Sequence, residues 1–282
     1  LLIGYDTISF NRFVKFQSAT YIRPYLPFIA DLNDDEQLDI GLLSSESTDI
    51  TLLFGCGNMN FSVEQKVSGG AASHSRFISF GDLNRDGLID MVVANTGDNS
   101  IGVLLGYGNG SFRIPVTYPI DQGVQPFSVT LGDFDNNTRL DIAFVNHKTG
   151  TVGFLLEYDV PKFQTHVLYS TTKEHSFYAI ATGDFNNDNH MDVVVVNHLT
   201  SSIDILLGSS NGLLKHQMRF DITGFPSSVA VADFNNDSNV DIVVTSLGTS
   251  TTIGAEHIDI FLGHGNGTFE VPMILKLSYR SY

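Results

Sequence analysis

The stretch Asp82-Leu-Asn-Arg-Asp-Gly-Leu-Ile-Asp90 decides the reading of this chain, because it recurs in outline four more times. The other copies are Asp31-Leu-Asn-Asp-Asp-Glu-Gln-Leu-Asp39, Asp133-Phe-Asp-Asn-Asn-Thr-Arg-Leu-Asp141, Asp184-Phe-Asn-Asn-Asp-Asn-His-Met-Asp192 and Asp233-Phe-Asn-Asn-Asp-Ser-Asn-Val-Asp241. Their starts lie 51, 51, 51 and 49 residues apart, so a repeat of near-constant length organises the 282 residues.

Around each loop the pattern is that of strands. A short alternating segment precedes it, as in Ser128-Val-Thr-Leu131 and Ser228-Val-Ala-Val231. A β-branched run follows, as in Ile142-Ala-Phe-Val145 and Ile242-Val-Val-Thr245, which reads as a strand buried on both faces. Third strands carry Ile101-Gly-Val-Leu-Leu-Gly106, Ile203-Asp-Ile-Leu-Leu-Gly208 and Ile258-Asp-Ile-Phe-Leu-Gly263. The turns Gly108-Asn-Gly110 and Gly265-Asn-Gly267 then predict fourth strands beginning near Phe112 and Phe269. Four strands of about 5 to 6 residues with their turns fill such a period, which is the size of a propeller blade. The expected fold is therefore all-β, a β-propeller of four-stranded antiparallel blades, since one blade cannot cover both of its own faces.

Residues 1–282 read as a single propeller domain with five complete blades, the Asp-rich loops falling at 31–39, 82–90, 133–141, 184–192 and 233–241. Residues 1–25 are expected to be the end of a preceding blade, because Leu1-Leu-Ile-Gly4 is in phase with Leu104-Leu-Gly106. A chain that opens on Leu1 with no basic and apolar leader pattern is expected to be a fragment or a processed product.

The loops explain the charge. With 31 acidic residues against 15 basic ones the net charge is −16, which argues against a nucleic-acid surface because little is available to neutralise phosphates. A hard cation such as Ca²⁺ takes 6 to 8 oxygen ligands, and alternate residues of a tight loop can supply them together. The first, third, fifth and ninth positions are Asp or Asn in every copy. They are Asp31, Asn33, Asp35 and Asp39; Asp82, Asn84, Asp86 and Asp90; Asp133, Asp135, Asn137 and Asp141; Asp184, Asn186, Asp188 and Asp192; and Asp233, Asn235, Asp237 and Asp241. The seventh position varies (Gln37, Leu88, Arg139, His190, Asn239), as expected if only its backbone carbonyl binds the ion. One Ca²⁺ per loop, up to five in all, would offset ten of the sixteen net negative charges. An EF-hand is excluded, because it needs Glu at the twelfth position, where Leu42, Val93, Phe144, Val195 and Val244 stand instead. The sixth position holds Gly only at Gly87, with Glu36, Thr138, Asn189 and Ser238 elsewhere, and a left-handed turn there would suit Gly or Asn better than Thr. Cys56 is the only cysteine, which rules out an intrachain disulfide, and it reads as a small packed residue.

The run Gly-Asp-Phe-Asn-x-Asp-x-x-x-Asp, then Val-Val-Val, then Leu-Leu-Gly-x-Gly-Asn-Gly-x-Phe, resembles the FG-GAP/VCBS repeat of integrin α-chain propellers and many secreted proteins. The resemblance covers nearly the whole chain. It implies calcium in the loop between the first two strands of a blade, with ligand binding elsewhere.

Antiparallel order places the Asp-rich loops at one end of the ring and the Asn95–Ser100 and Asn197–Ser202 segments at the other. The second end also carries His74, Arg76, Tyr118, Tyr169, His175 and Phe225, and a protein or glycan partner is expected there. Blade five adds residues around Gly248–His257, read as either a binding loop or a tolerated insertion. The expected function is a non-enzymatic recognition, adhesion or scaffold module. No Gly-x-Ser-x-Gly or His-Glu-x-x-His motif is present and the nine histidines are scattered. A propeller portion of a secreted lyase or hydrolase, or a carbohydrate-binding propeller, stays open as an alternative. An extracellular location is expected, because such loops suit millimolar Ca²⁺ and Asn-x-Ser/Thr triplets occur at Asn60, Asn109, Asn136, Asn236 and Asn266. No apolar stretch is long enough to cross a bilayer as a helix.

Overall fold

The computed structural model describes residues 24–44, 48–57, 60–70, 74–121, 123–159, 162–170, 176–210, 212–247 and 256–276. The expected strand at Leu1–Gly4, His175 and most of the 248–257 insertion lie outside these residues.

Five sheets of four antiparallel strands follow one another along the chain, each in simple sequential order. Blade 2 shows the plan. Its inner strand Ser75–Gly81 leads through the Asp-rich loop into Asp90–Asn95, then Ser100–Leu104, then the outer strand Val116–Pro119. The inner strands of the other blades are Pro24–Ala30, Pro126–Gly132, Phe177–Gly183 and Phe225–Ala232, and neighbouring inner strands pack side by side in chain order. The arrangement is a β-propeller, as the repeat predicts.

The second strands Asp90–Asn95, Asp141–Asn146 and Asp192–Asn197 are buried at every residue, because blades cover them on both sides. The core consequently lies between blades. Leu43 and Ile50 of blade 1 meet Met91 and Val93 of blade 2, while Val92 and Ile101 on the other face of blade 2 meet Ile142 and Phe144 of blade 3. Val145 and Phe154 meet Val193 and Val195, and Val194 and Ile203 meet Ile242 and Phe261.

The fourth strands start later than the sequence suggests. Phe112 and Phe269 make only isolated bridges to Gly106 and Gly263, and the strands proper begin at Val116 and Met273. Pro115 and Pro272 stand between, and a proline cannot donate to a ladder. Cys56 is exposed rather than packed.

Candidate metal loops and the opposite end of the propeller

Each Asp-rich loop is a set of backbone hydrogen bonds gathered by carboxylates. The first aspartate accepts from the fifth and sixth amides: Asp184 takes Asp188 N at 3.1 Å and Asn189 N at 2.8 Å, and Asp31, Asp82, Asp133 and Asp233 do the same in their loops. The fifth residue accepts from the seventh amide, as in Gln37 N to Asp35 (2.8 Å), Leu88 N to Asp86 (2.9 Å) and Arg139 N to Asn137 (2.8 Å). To make these bonds the chain turns left-handed twice. The fourth residue (Asp34, Arg85, Asn136, Asn187, Asn236) has φ of 58 to 62°, and the sixth (Glu36, Gly87, Thr138, Asn189, Ser238) has φ of 63 to 82°. Thr138, with φ of 69°, is a β-branched residue in a region it disfavours.

The ninth aspartates are fully buried, each tying two distant amides. Asp192 accepts from Phe185 N (2.7 Å) and Gly208 N (2.7 Å), Asp90 from Leu83 N and Gly106 N (both 2.8 Å), and Asp39 from Leu32 N (2.8 Å) and Gly55 N (2.7 Å). Asp141 holds Phe134 N (2.9 Å) and Glu157 N (2.8 Å), and Asp241 holds Phe234 N (2.9 Å) and Gly263 N (2.8 Å). One carboxylate thus pins the loop to the end of the third strand in every blade. The glycine that ends the third strand is required by close approach: a Cβ on Gly55, Gly106, Gly208 or Gly263 would lie 2.2 to 2.4 Å from the carbonyl oxygen of Leu38, Ile89, Met191 or Val240. Blade 3 departs from the rule with the buried Glu157. Burial pushes the carboxyls of Asp39, Asp90, Asp141 and Asp192 upward, and the backbone donors only partly counter it. Asp141 and Asp192 reach about 6, with a smaller push from the neighbouring carboxylates.

The residues present fit a hard cation. In the third loop one oxygen from each of Asp133, Asp135 and Asp141 lies within 4.8 Å of the others, a cluster of like charges that a cation would relieve. In the first loop Asn33 Oδ1 is shielded from solvent and accepts no hydrogen bond, an oxygen donor without a use. In the other loops the third-position side-chain oxygen, of Asn84, Asp135, Asn186 or Asn235, accepts from the fifth amide at 2.9 to 3.2 Å. Where the third residue is Asn, its amide nitrogen donates to the fifth aspartate, at 2.8 to 3.0 Å. Seventh-position side chains do different jobs. His190 Nδ1 sits 3.1 Å from Asp188 Oδ1, Arg139 bonds Asn137, and Asn239 accepts from Asn187 of the preceding loop at 3.2 Å.

The loops are also joined to one another, a link that no repeat position marks. Arg85 of the second loop donates to Thr138 of the third, and the Gly-Asn-Gly turns dock on the loop before them through Gly110 N to Leu32 O (3.1 Å) and Gly267 N to Phe185 O (2.8 Å).

At the opposite end, Tyr118 and Tyr169 prove to be packing residues: both lean on interblade cores, and Tyr118 meets Phe163 edge-on at 5.4 Å. Arg76 and Phe225 remain exposed, and a row of rings, Phe127, Tyr178, His198 and Phe225, runs between them at centroid spacings of 4.7, 4.2 and 5.3 Å.

The chain is similar in fold to several solved propellers. A protein from Lactobacillus plantarum shares 12% identity at a TM-score of 0.69, over 90% of this chain and 72% of that one. The periplasmic gluconolactonase PpgL of Pseudomonas aeruginosa shares 12% at 0.66, over 89% and 70%. An Agrocybe aegerita lectin that recognises non-reducing terminal N-acetylglucosamine shares 14% at 0.58, over 90% and 66%. At these identities the likeness is one of fold. It nevertheless corrects the expectation of a non-enzymatic chain, because propellers of this architecture include PpgL and putative 6-phosphogluconolactonases of Bacteroides. The absence of contiguous hydrolase motifs does not decide the question, because catalytic residues can come from separate parts of a chain, which no local motif marks. No protein with a curated description matches the sequence significantly. The model of the FG-GAP-like repeat matches residues 31–93, 82–144 and 184–244, more than half of the chain in all, and the chain belongs to that repeat family.

Proposed function

We propose that this chain is a calcium-stabilised recognition propeller of the extracellular space. Ca²⁺ in the Asp-rich loops fastens one end of the blades, and the opposite end receives a protein or glycan ligand. The observation that carries this reading is the fivefold repetition of one oxygen-lined loop, with the converging Asp133, Asp135 and Asp141 as its most complete instance. The first, third and fifth residues, the seventh carbonyl and the ninth aspartate would hold the ion, which supplies positive charge where carboxylates crowd. The bonds of Arg85 to the third loop and of Asn187 to the fifth would pass that rigidity between neighbouring blades. Recognition at the far end is supported by the exposed Arg76 and Phe225 with the row of rings between them, and the lectin noted above and BBS1N, crystallised in complex with ARL6DN, share the fold. Millimolar Ca²⁺ outside cells matches the affinity of loops of this kind.

Equilibrium dialysis against Ca²⁺ tests the assignment. The expected result is saturable uptake of several ions per chain, up to one per loop, with one lost in the Asp184→Ala, Asp188→Ala double variant. No uptake at millimolar Ca²⁺, or uptake unchanged by the double variant, would overturn it.

A further inference from the structure

The inner strand of every blade begins with a bulge. Pairing with the second strand skips one residue between Pro24 and Leu26, Ser75 and Phe77, Pro126 and Ser128, Phe177 and Ala179, and Pro226 and Ser228. The skipped residues are Tyr25, Arg76, Phe127, Tyr178 and Ser227, and all five line a single cavity of about 210 Å³ where the inner strands converge. A bulge re-aims a side chain out of the alternating pattern, and five equivalent bulges re-aim five side chains at one space. The cavity lies at the end of the propeller away from the Asp-rich loops, one inner strand's length from them, roughly 20 Å.

Its chemistry is specific. Arg76 is the cation of the set, with its guanidinium 5.7 Å from the Tyr25 ring centre and 5.4 Å from that of Phe127. No carboxylate pairs with it among the described residues, although the chain carries 31 acidic groups. Aromatic neighbours engage the faces of a guanidinium and cannot satisfy its in-plane N–H donors, which match a planar oxyanion. Next to it Phe127 and Tyr178 stand 4.7 Å apart, and Tyr178 is backed by His198 stacked at 4.2 Å, so the wall is held in place. The Tyr25 hydroxyl donates to the Ser75 carbonyl, which fixes the other flank.

We infer that this axial cavity binds a compact carboxylate, its oxygens on Arg76 and its ring against Phe127 and Tyr178. The volume admits a body of about one ring. The inference rests on the reading of this end as the binding end, and it adds the ligand class. A carboxylate on a sugar ring and one on an aromatic ring share the required chemistry, and the probes separate them.

Titration calorimetry of the Ca²⁺-saturated chain with D-glucuronate, 3-phenylpropionate and, as neutral control, D-glucose is the test. Saturable binding of one carboxylate is expected, with none of glucose, and Arg76→Gln should weaken it by about tenfold or more. Arg76 is exposed, and an unchanged melting temperature of the variant would confirm that the fold is intact. Glucuronate alone binding assigns an acidic sugar, and 3-phenylpropionate alone an aromatic acid. Binding of neither, or binding indifferent to Arg76→Gln, overturns the inference. The calcium reading is judged separately by ion uptake, which Arg76→Gln should leave unchanged.

Discussion

Two aspartates of one loop, Asp188 and Asp192, look alike in the repeat and do different work. Asp192 is buried and holds the Phe185 and Gly208 amides, so Asp192→Ala strands two donors and should cost about 2–4 kcal/mol in EDTA, read by urea unfolding. Asp188 is exposed and accepts from the local amide of His190, so Asp188→Ala should change metal-free stability by less than ~1 kcal/mol while reducing the gain from Ca²⁺. Equal effects of the two in EDTA would refute this division. The sequence marked both as ligands and had no means of ranking them, because burial is decided by the third strand folding back from Gly208. It did mark the sixth-position turn: Thr138 has φ of 69° where Gly87 has 82°. Thr138→Gly should therefore raise metal-free stability by roughly 1 kcal/mol, less whatever the Arg85 bond to its hydroxyl contributes.

Strands were legible where periodicity and β-branching agree. The runs Ile142–Val145 and Ile242–Thr245 lie inside observed second strands; the first is buried throughout, as its apolar residues on both faces predict, whereas in the last blade Val243 is half-buried and Thr245 is exposed. Fourth strands were misplaced because a Gly-Asn-Gly turn marks a reversal but not where pairing resumes, and Pro115 and Pro272 delay it. The terminal Gly of Leu-Leu-Gly was legible as a repeat and not as a constraint. In the structure Gly106 has no room for a Cβ, which would sit 2.2 Å from Ile89 O, and the same glycine gives its amide to Asp90. Gly106→Ala should lower the melting temperature of the chain, with a loss of about 2–3 kcal/mol in chemical unfolding, and a neutral effect would show that the third strand can shift away.

At the scale of the molecule, the Asp-rich loops gather carboxylates at one end, and at the other the five bulged residues, Arg76 among them, line the axial cavity. The repeat made the blades and the acidic end readable. The axial cavity was not, because its residues are 51 positions apart in blades 1 to 4 and only the bulges aim them together. Acidity should act in opposite directions on the two forms. Burial raises Asp141 and Asp192 to about 6 from 3.8, so between those values the folded metal-free chain binds more protons than the unfolded one. Their destabilising charge is fully present above about pH 6 and is relieved as pH falls toward 3.8. The metal-free contribution of these groups should therefore improve from pH 7.5 to pH 5, while the increment given by Ca²⁺ shrinks because protons compete for the same oxygens. Melting curves at both pH values, with EDTA and with Ca²⁺, would show this crossing.

The measurement that bears most directly on the account is thermal unfolding in EDTA and across a Ca²⁺ titration at neutral pH, with Mg²⁺ as control. The account predicts a melting temperature that climbs with Ca²⁺, far less with Mg²⁺, and a smaller climb in the Asp184→Ala, Asp188→Ala chain. A melting temperature indifferent to Ca²⁺ would contradict it, leaving the Asp-rich loops as turns held by their own hydrogen bonds.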